Sequence, residues 1–146
     1  MCLVYSMILV ITIQLQQTPG ISIIILYQEI LIFVDTRYVG VATERFIRQL
    51  DLSDNVYIHC IGHSLGAHTC GFLGNAIAAD ASFAKSSLDR ITAMDPAGPN
   101  FYSEDWYSIP TKPINAPLDE KLDASDADLV DAIHTDSNTM GKFEIS

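Results

Sequence analysis

The stretch VYIHCIGHSLGAH, residues 56–68, changes character halfway along. Val56 to Ile61 is a continuous apolar run, which predicts a strand. It leads straight into Gly62-His63-Ser64-Leu65-Gly66, and the following LGAHTCGFLGNAIAA (65–79) predicts a helix whose small side chains let it lie close to a sheet. A serine on a sharp strand-to-helix turn, with a glycine two residues to either side, exposes its hydroxyl above the carboxyl edge of a parallel sheet. Side chains at the glycine positions would strike the neighbouring strand and helix. The Leu65 N–H opens the helix, so it and the helix dipole face the negative charge that an acyl-transfer intermediate develops. A chance G-x-S-x-G in a chain of 146 residues has odds on the order of 5%, and the strand and helix requirement lowers them further. The competing reading is a glycine-rich turn that happens to expose a serine.

The flanking segments fit the same architecture. ISIIIL (21–26) and ILIFV (30–34) predict short buried strands. Asp35-Thr36 offers an N-cap, and Val39, Ala42, Phe46, Ile47 and Leu50 recur at helical spacing, with Glu44, Arg45 and Arg48 expected to face away. RITAM (90–94) reads as a third buried strand stopped by Asp95-Pro96, residues 96–117 as loop, and DLVDAIHT (128–135) as another strand. Strands alternating with helices imply βαβ units, hence an α/β domain on a mostly parallel sheet with flanking helices.

A serine hydroxyl needs a base to take its proton, and the base needs a carboxylate to orient it. Asp95, at the carboxyl end of RITAM, is where a neighbouring parallel strand would deliver that carboxylate, although Asp-Pro is also a common turn opening. Of the four histidines, His59 reads as a satisfied residue within its strand, and His63 and His68 as hydrogen-bonding supports of the turn. His134 ends its strand, and Ser64, Asp95, His134 would reproduce the chain order of an α/β-hydrolase triad. In PLDEKLDASDADLVD (117–131), Asp123 and Asp126 stand three apart and can converge on a hard cation such as calcium, with main-chain carbonyls completing the shell. The segment lacks the D-x-D-x-D-G pattern of an EF-hand, and a solvated acidic loop is the competing reading.

Composition bounds the rest. One domain with one core fits this length. With 18 acidic against 8 basic residues the net charge is −10, which disfavours nucleic acid and anionic headgroups but welcomes a cation. Cys2, Cys60 and Cys70 form no spaced framework, and Cys60 and Cys70 read as small buried hydrophobes. The N-terminal MCLVYSMILVITI has the length of a signal-peptide core without a basic residue before it. Gln14, Gln16, Gln17 and Pro19 interrupt it short of a stable transmembrane anchor, leaving a degenerate signal peptide or a buried strand.

Taken together, TRYVG, IHCIGHSLGAH, RITAMDPAGP and LDASDADLVDAIHTD resemble, in that order, the pancreatic-lipase-like family of α/β hydrolases, which includes triglyceride lipases and insect phospholipases A1. The likeness runs from about Thr36 to Asp136. It implies an α/β-hydrolase fold and a secreted ester hydrolase acting on lipid at an interface, with no cofactor needed for the chemistry. Ser64 matches the nucleophile, Asp95 the triad acid, and the Leu65 N–H one half of the oxyanion hole. The LDxSD segment matches a structural calcium site, with Asp123 and Asp126 binding through side chains and Lys121 and Leu118 through carbonyls. The resemblance makes His134 structural and places the true base downstream, beyond this chain. It also expects an oxyanion-loop motif before residue 36, which 1–35 does not supply. The expectation is therefore an incomplete copy: residues 36–146 as the central part of the domain, and 1–35 a signal peptide, strands or sequence foreign to the fold. A non-catalytic lipid-binding or yolk-type relative is the alternative, and the retained Ser64 weighs against it.

Overall fold

The computed structural model describes residues 6–14, 21–28, 34–53, 56–83, 85–98 and 121–135. In chain order the elements are β1 (Ser6–Gln14), β2 (Ile21–Gln28), α1 (Val34–Gln49), β3 (Tyr57–His63), α2 (Leu65–Ala79), β4 (Arg90–Met94) and β5 (Val130–Ile133). They form one five-stranded sheet in the order β2-β1-β3-β4-β5. From β3 through β5 the sheet is parallel, with Cys60 opposite Ile91 and Thr92 opposite Asp131. β1 pairs antiparallel with both β2 and β3. The parallel expectation thus describes the half of the sheet that carries the serine. β1 and β2 are joined by six residues, too few for the crossover that parallel neighbours need, so they form a hairpin.

Helix α2 lies on one face of the sheet and α1 packs against α2. The core between them is fully buried and built from Ile58 and Cys60 of β3, Ala67, Leu73 and Ile77 of α2, and Ile91 of β4. The expected strand over 30–34 falls outside the described residues except for Val34, which already belongs to α1, so the helix starts ahead of the Asp35-Thr36 cap read from the sequence.

The inward face of α1 also differs from the expected one. Thr36, Thr43, Glu44 and Ile47 are buried, whereas Phe46 is 45% and Leu50 41% exposed. Gly40 explains the rotation: a Cβ there would lie 2.7 Å from the Phe72 Cβ, so this glycine side of α1 is the one that can approach α2 closely. Glu44 follows Gly40 inward. Its carboxylate stands 3.2 Å from the Arg48 Nε, which also approaches Asp80 at 3.4 Å. Burial raises the Glu44 pKa and Arg48 opposes the rise.

Two further glycines of α2 receive the segment 121–127. A Cβ on Gly71 would meet the Asp126 Oδ2 at 2.6 Å, and one on Gly74 would meet the Asp126 main-chain oxygen at 2.0 Å. Gly→Ala inside a helix ordinarily stabilises by about 1 kcal/mol. Here Gly74→Ala is expected to destabilise by about 1–3 kcal/mol, as overpacking does, seen as a lower urea midpoint. A raised midpoint would mean that 121–127 is not seated on the helix.

Candidate active site

Ser64 occupies the single residue between β3 and α2. Its backbone has φ 56° and ψ −115°, a conformation that non-glycine residues rarely adopt and that costs on the order of 1–3 kcal/mol. The turn is held from three sides. The Ser64 N–H donates to the Met94 carbonyl at 2.9 Å, and the Ser64 carbonyl accepts from the N–H groups of Ala67 and Ala97, each at 3.2 Å. Gly62 lies so close to the start of the helix that a Cβ would fall 2.2 Å from the Gly66 oxygen. Although Ser64 is the N-cap residue of α2, its side chain makes no capping bond, so the hydroxyl is not consumed by the helix. Leu65 is the first residue of α2. Its N–H therefore belongs to the first-turn donors that have no acceptor within the helix.

Asp95 leaves β4 beside this turn, since His63 and Met94 are opposite one another in the parallel ladder. It too has a positive φ, of 43°. Its N–H donates to the Ile133 carbonyl at 2.8 Å, which ties the end of β4 to the end of β5. Its carboxylate accepts from the N–H and the hydroxyl of Thr135. His134 follows Ile133, the partner of Met94, so Ser64, Asp95 and His134 leave the same edge of three adjacent parallel strands. The His134 Nδ1 is buried without a hydrogen-bond partner among the described residues.

His68 is fully buried. Its Nε2 lies 2.9 Å from the Ala97 carbonyl, and its Nδ1 accepts from the Leu122 N–H at 3.1 Å, which places the proton on Nε2. One imidazole thereby joins α2 to the loop after β4 and to segment 121–127, the supporting role read from sequence. His63, given the same role, has no side-chain hydrogen bond among the described residues. His59 is half-buried on the sheet face away from α2 and hydrogen-bonds the Thr92 hydroxyl at 2.9 Å. Thr92 donates in turn to Asp131, at 3.1 Å, and the Arg90 Nε donates to the same carboxylate at 2.8 Å. Burial, followed by the charge on Arg90, lowers the His59 pKa.

Asp123 and Asp126 are buried, at 6% and 3% exposure, so the solvated acidic loop does not describe them. The Asp123 N–H donates to the Asp126 Oδ2 at 2.8 Å, and Ser125 donates its N–H and hydroxyl to the Asp123 Oδ1, both at 2.6 Å. The Asp126 Oδ1 is buried and makes no hydrogen bond of normal geometry among the described residues, although the Asn75 side-chain amide acts on the carboxylate as a donor. Burial pushes the Asp126 carboxyl up to about 7, against the opposing bond from the Asp123 N–H. Lys121 is buried in the same loop, and Leu118 lies outside the described residues. No group of three or more His, Cys, Asp or Glu side chains gathers as a metal cage among the described residues.

One feature of the site went unread in the sequence. Cys60 and Cys70, taken there as separate buried hydrophobes, form a disulfide with a Cα–Cα distance of 5.8 Å. Ten positions apart along the chain, they face each other because the turn at Ser64 folds α2 back over β3. Cys60 shares the helix-facing side of its strand with Ile58 and Gly62, and that alternation was the available signal.

The buried imidazole of His68 sets a pH dependence. Burial, together with the Lys121 charge, lowers its pKa to about 3, against an ordinary value of 6.5. Below that ordinary value the unfolded chain binds the proton and the folded chain does not, so stability present at neutral pH is lost as pH falls toward 3. His68→Gln retains a donor and an acceptor but does not titrate. The stability advantage of wild type over this variant, from urea unfolding, is expected to shrink below pH 6.5 by up to about 1.4 kcal/mol per pH unit. A pH-independent difference would show that the folded imidazole accepts its proton freely.

Comparison with known proteins agrees with this geometry. A family model described as Lipase matches residues 26–145. Mouse lipase member H is 37% identical over 113 residues, 75% of this chain and 20% of the relative. Rat phospholipase A1 member A is 43% identical over 84 residues, 58% of this chain and 14% of the relative. Human pancreatic lipase-related protein 3 is 42% identical over 80 residues, 55% of this chain and 13% of the relative. The chain therefore spans at most 20% of the length of these relatives. No solved structure matches it significantly. With the family model covering most of its length, the chain belongs to the lipase family, the pancreatic-lipase-like group of α/β hydrolases.

Proposed function

We propose that the protein is a lipase-type carboxylic ester hydrolase in which Ser64 is the nucleophile, Asp95 the acid of the triad and the Leu65 N–H one donor of the oxyanion hole. The observation that carries this reading is the backbone of Ser64, held at φ 56° and ψ −115° in the bend between β3 and α2. Strain of that kind persists only where the surroundings enforce it, and it clusters at functional sites. In the proposed reaction the Ser64 Oγ attacks the ester carbonyl carbon while a histidine takes its proton. The carbonyl oxygen, now anionic, faces the amino end of α2. The bond to the alcohol then breaks, the histidine returns the proton to the leaving oxygen, and water repeats the sequence on the acyl-enzyme. Phospholipids are one substrate class proposed, given the similarity to phospholipase A1 member A, and triglycerides the other, given the motif resemblance to the pancreatic-lipase-like family.

The base is proposed to come from chain beyond residue 146, with Asp95 orienting it. Thr135 holds the Asp95 carboxylate at the sheet edge meanwhile, and His134 serves as a strand-end residue. Secretion is part of the proposal: a disulfide persists in oxidising compartments. No helix among the described residues is long and apolar enough to cross a membrane. The test is hydrolysis of a soluble p-nitrophenyl ester by the purified protein with whatever chain continues beyond residue 146. Ser64→Ala and Asp95→Asn are expected to lower kcat by about 10³-fold or more, and His134→Ala by less than about 10-fold. A loss in His134→Ala equal to that in Ser64→Ala would make His134 the base.

Residues 118–126 are proposed to bind calcium structurally, through the Asp123 and Asp126 carboxylates and the carbonyls of Lys121 and Leu118. The buried Asp126 Oδ1, which makes no hydrogen bond of normal geometry among the described residues, fits a cation, and two carboxylates supplemented by carbonyl oxygens suit a hard one. Bound there, the ion would compensate the buried charge and stabilise the loop against α2. Millimolar calcium is expected to raise the melting temperature by several degrees, and Asp123→Ala to abolish that shift while magnesium gives less. An unchanged shift in Asp123→Ala would remove the loop from metal binding.

A further inference from the structure

The bridge between Cys60 and Cys70 closes a covalent ring around the turn. One half-cystine lies on β3 and the other on α2, at a sequence separation of 10. The ring contains Gly62, Ser64, Gly66 and the Leu65 N–H. We propose that this disulfide is a positioning element for the nucleophile, clamping the strained backbone of Ser64 independently of the sheet's overall stability. Its catalytic consequence rests on Ser64 being the nucleophile, whereas its mechanical effect does not.

The case is a balance of forces. Ser64 sits in an unfavourable backbone conformation, and relaxing it requires β3 and α2 to move apart or to twist about each other. Three hydrogen bonds oppose this, from the Ser64 N–H to Met94 and from the N–H groups of Ala67 and Ala97 to the Ser64 carbonyl. Each can be exchanged for a bond to water. The disulfide cannot be exchanged in this way, and it joins the two elements whose separation would relax the turn. Closing so short a loop removes open conformations and lowers their population by about 100-fold. Both sulfurs belong to residues with 0% exposure. A reductant therefore reaches them only when the packing around them opens, locally at the turn or by global unfolding.

Hydrogen exchange resolved to single amides separates a local clamp from a general staple. The oxidised protein is compared with Cys60→Ala/Cys70→Ala and with reduced wild type, so that a variant that fails to fold leaves the second arm intact. Exchange at the amides of Ser64, Ala67 and Ala97 is expected to rise about 100-fold. The amides of Ile91 and Asp95, bonded to Leu129 and Ile133 in the same sheet, are expected to change by less than about threefold. An equal rise at all five amides, or no rise at the first three, overturns the proposal. The local rise in a protein whose oxidised form hydrolyses no ester would count against the esterase reading alone, and intact hydrolysis without the local rise would count against the clamp alone.

Discussion

Where β3 turns into α2, Gly62 and the carbonyl of Gly66 approach so closely that one added carbon would stand 2.2 Å from that oxygen. This contact lets the chain reverse within a single residue, Ser64. It aims the first turn of α2 across the carboxyl edge of the sheet and brings Cys70 back over Cys60. The same reversal lays His68 between the loop after β4 and segment 121–127, because both must reach the helix face that follows the turn. Moving the turn by one residue would remove the serine from its position and misplace every partner of α2.

Support for the turn comes from segments distant in sequence, and each meets α2 where a glycine removes bulk from one side of the contact. Gly40 lets α1 approach Phe72 of α2, while Gly71 and Gly74 of α2 admit the acidic loop. The loop can therefore bring two carboxylates beneath the surface, a costly burial that the N–H of Asp123 offsets for one Asp126 oxygen and the Asn75 amide opposes only in part for the carboxylate as a whole. A small-residue helix thus serves as a receiving surface, and its low helix propensity is the corresponding cost.

Much of this was legible from local pattern. The helix over 65–79 and the strand over 90–94 have the bounds that their residues predicted, since each is stopped by an unambiguous feature: the bend at Ser64 on one side, Asp95-Pro96 on the other. What stayed hidden depended on partners. A hydrophobicity count assigns Gly40 no weight, so it turned α1 toward Phe46 and Leu50 and away from Glu44. Asp123 and Asp126 look like surface residues until Gly71 and Gly74 are recognised as room for them. The cysteines pair only once the turn has doubled the chain back on itself. The strand direction of the apolar N-terminal segment followed from a six-residue connection and not from its composition, which suits parallel and antiparallel neighbours alike.

The line of polar side chains from His59 through Thr92 to Asp131 and Arg90 runs across three parallel strands on the face that α2 leaves uncovered. Parallel strands exchange evenly spaced main-chain bonds, so the backbone alone discriminates poorly between neighbouring alignments. A slip of β5 by one residue would turn the Asp131 carboxylate to the apolar side, against the surroundings of Ile91, and leave Arg90 and Thr92 facing a hydrocarbon. The ladder of polar side chains thus acts as an alignment key. By fixing β5 against β4 it also fixes how far along the edge Thr135 meets Asp95, and through Asp95 the level at which any histidine would have to arrive.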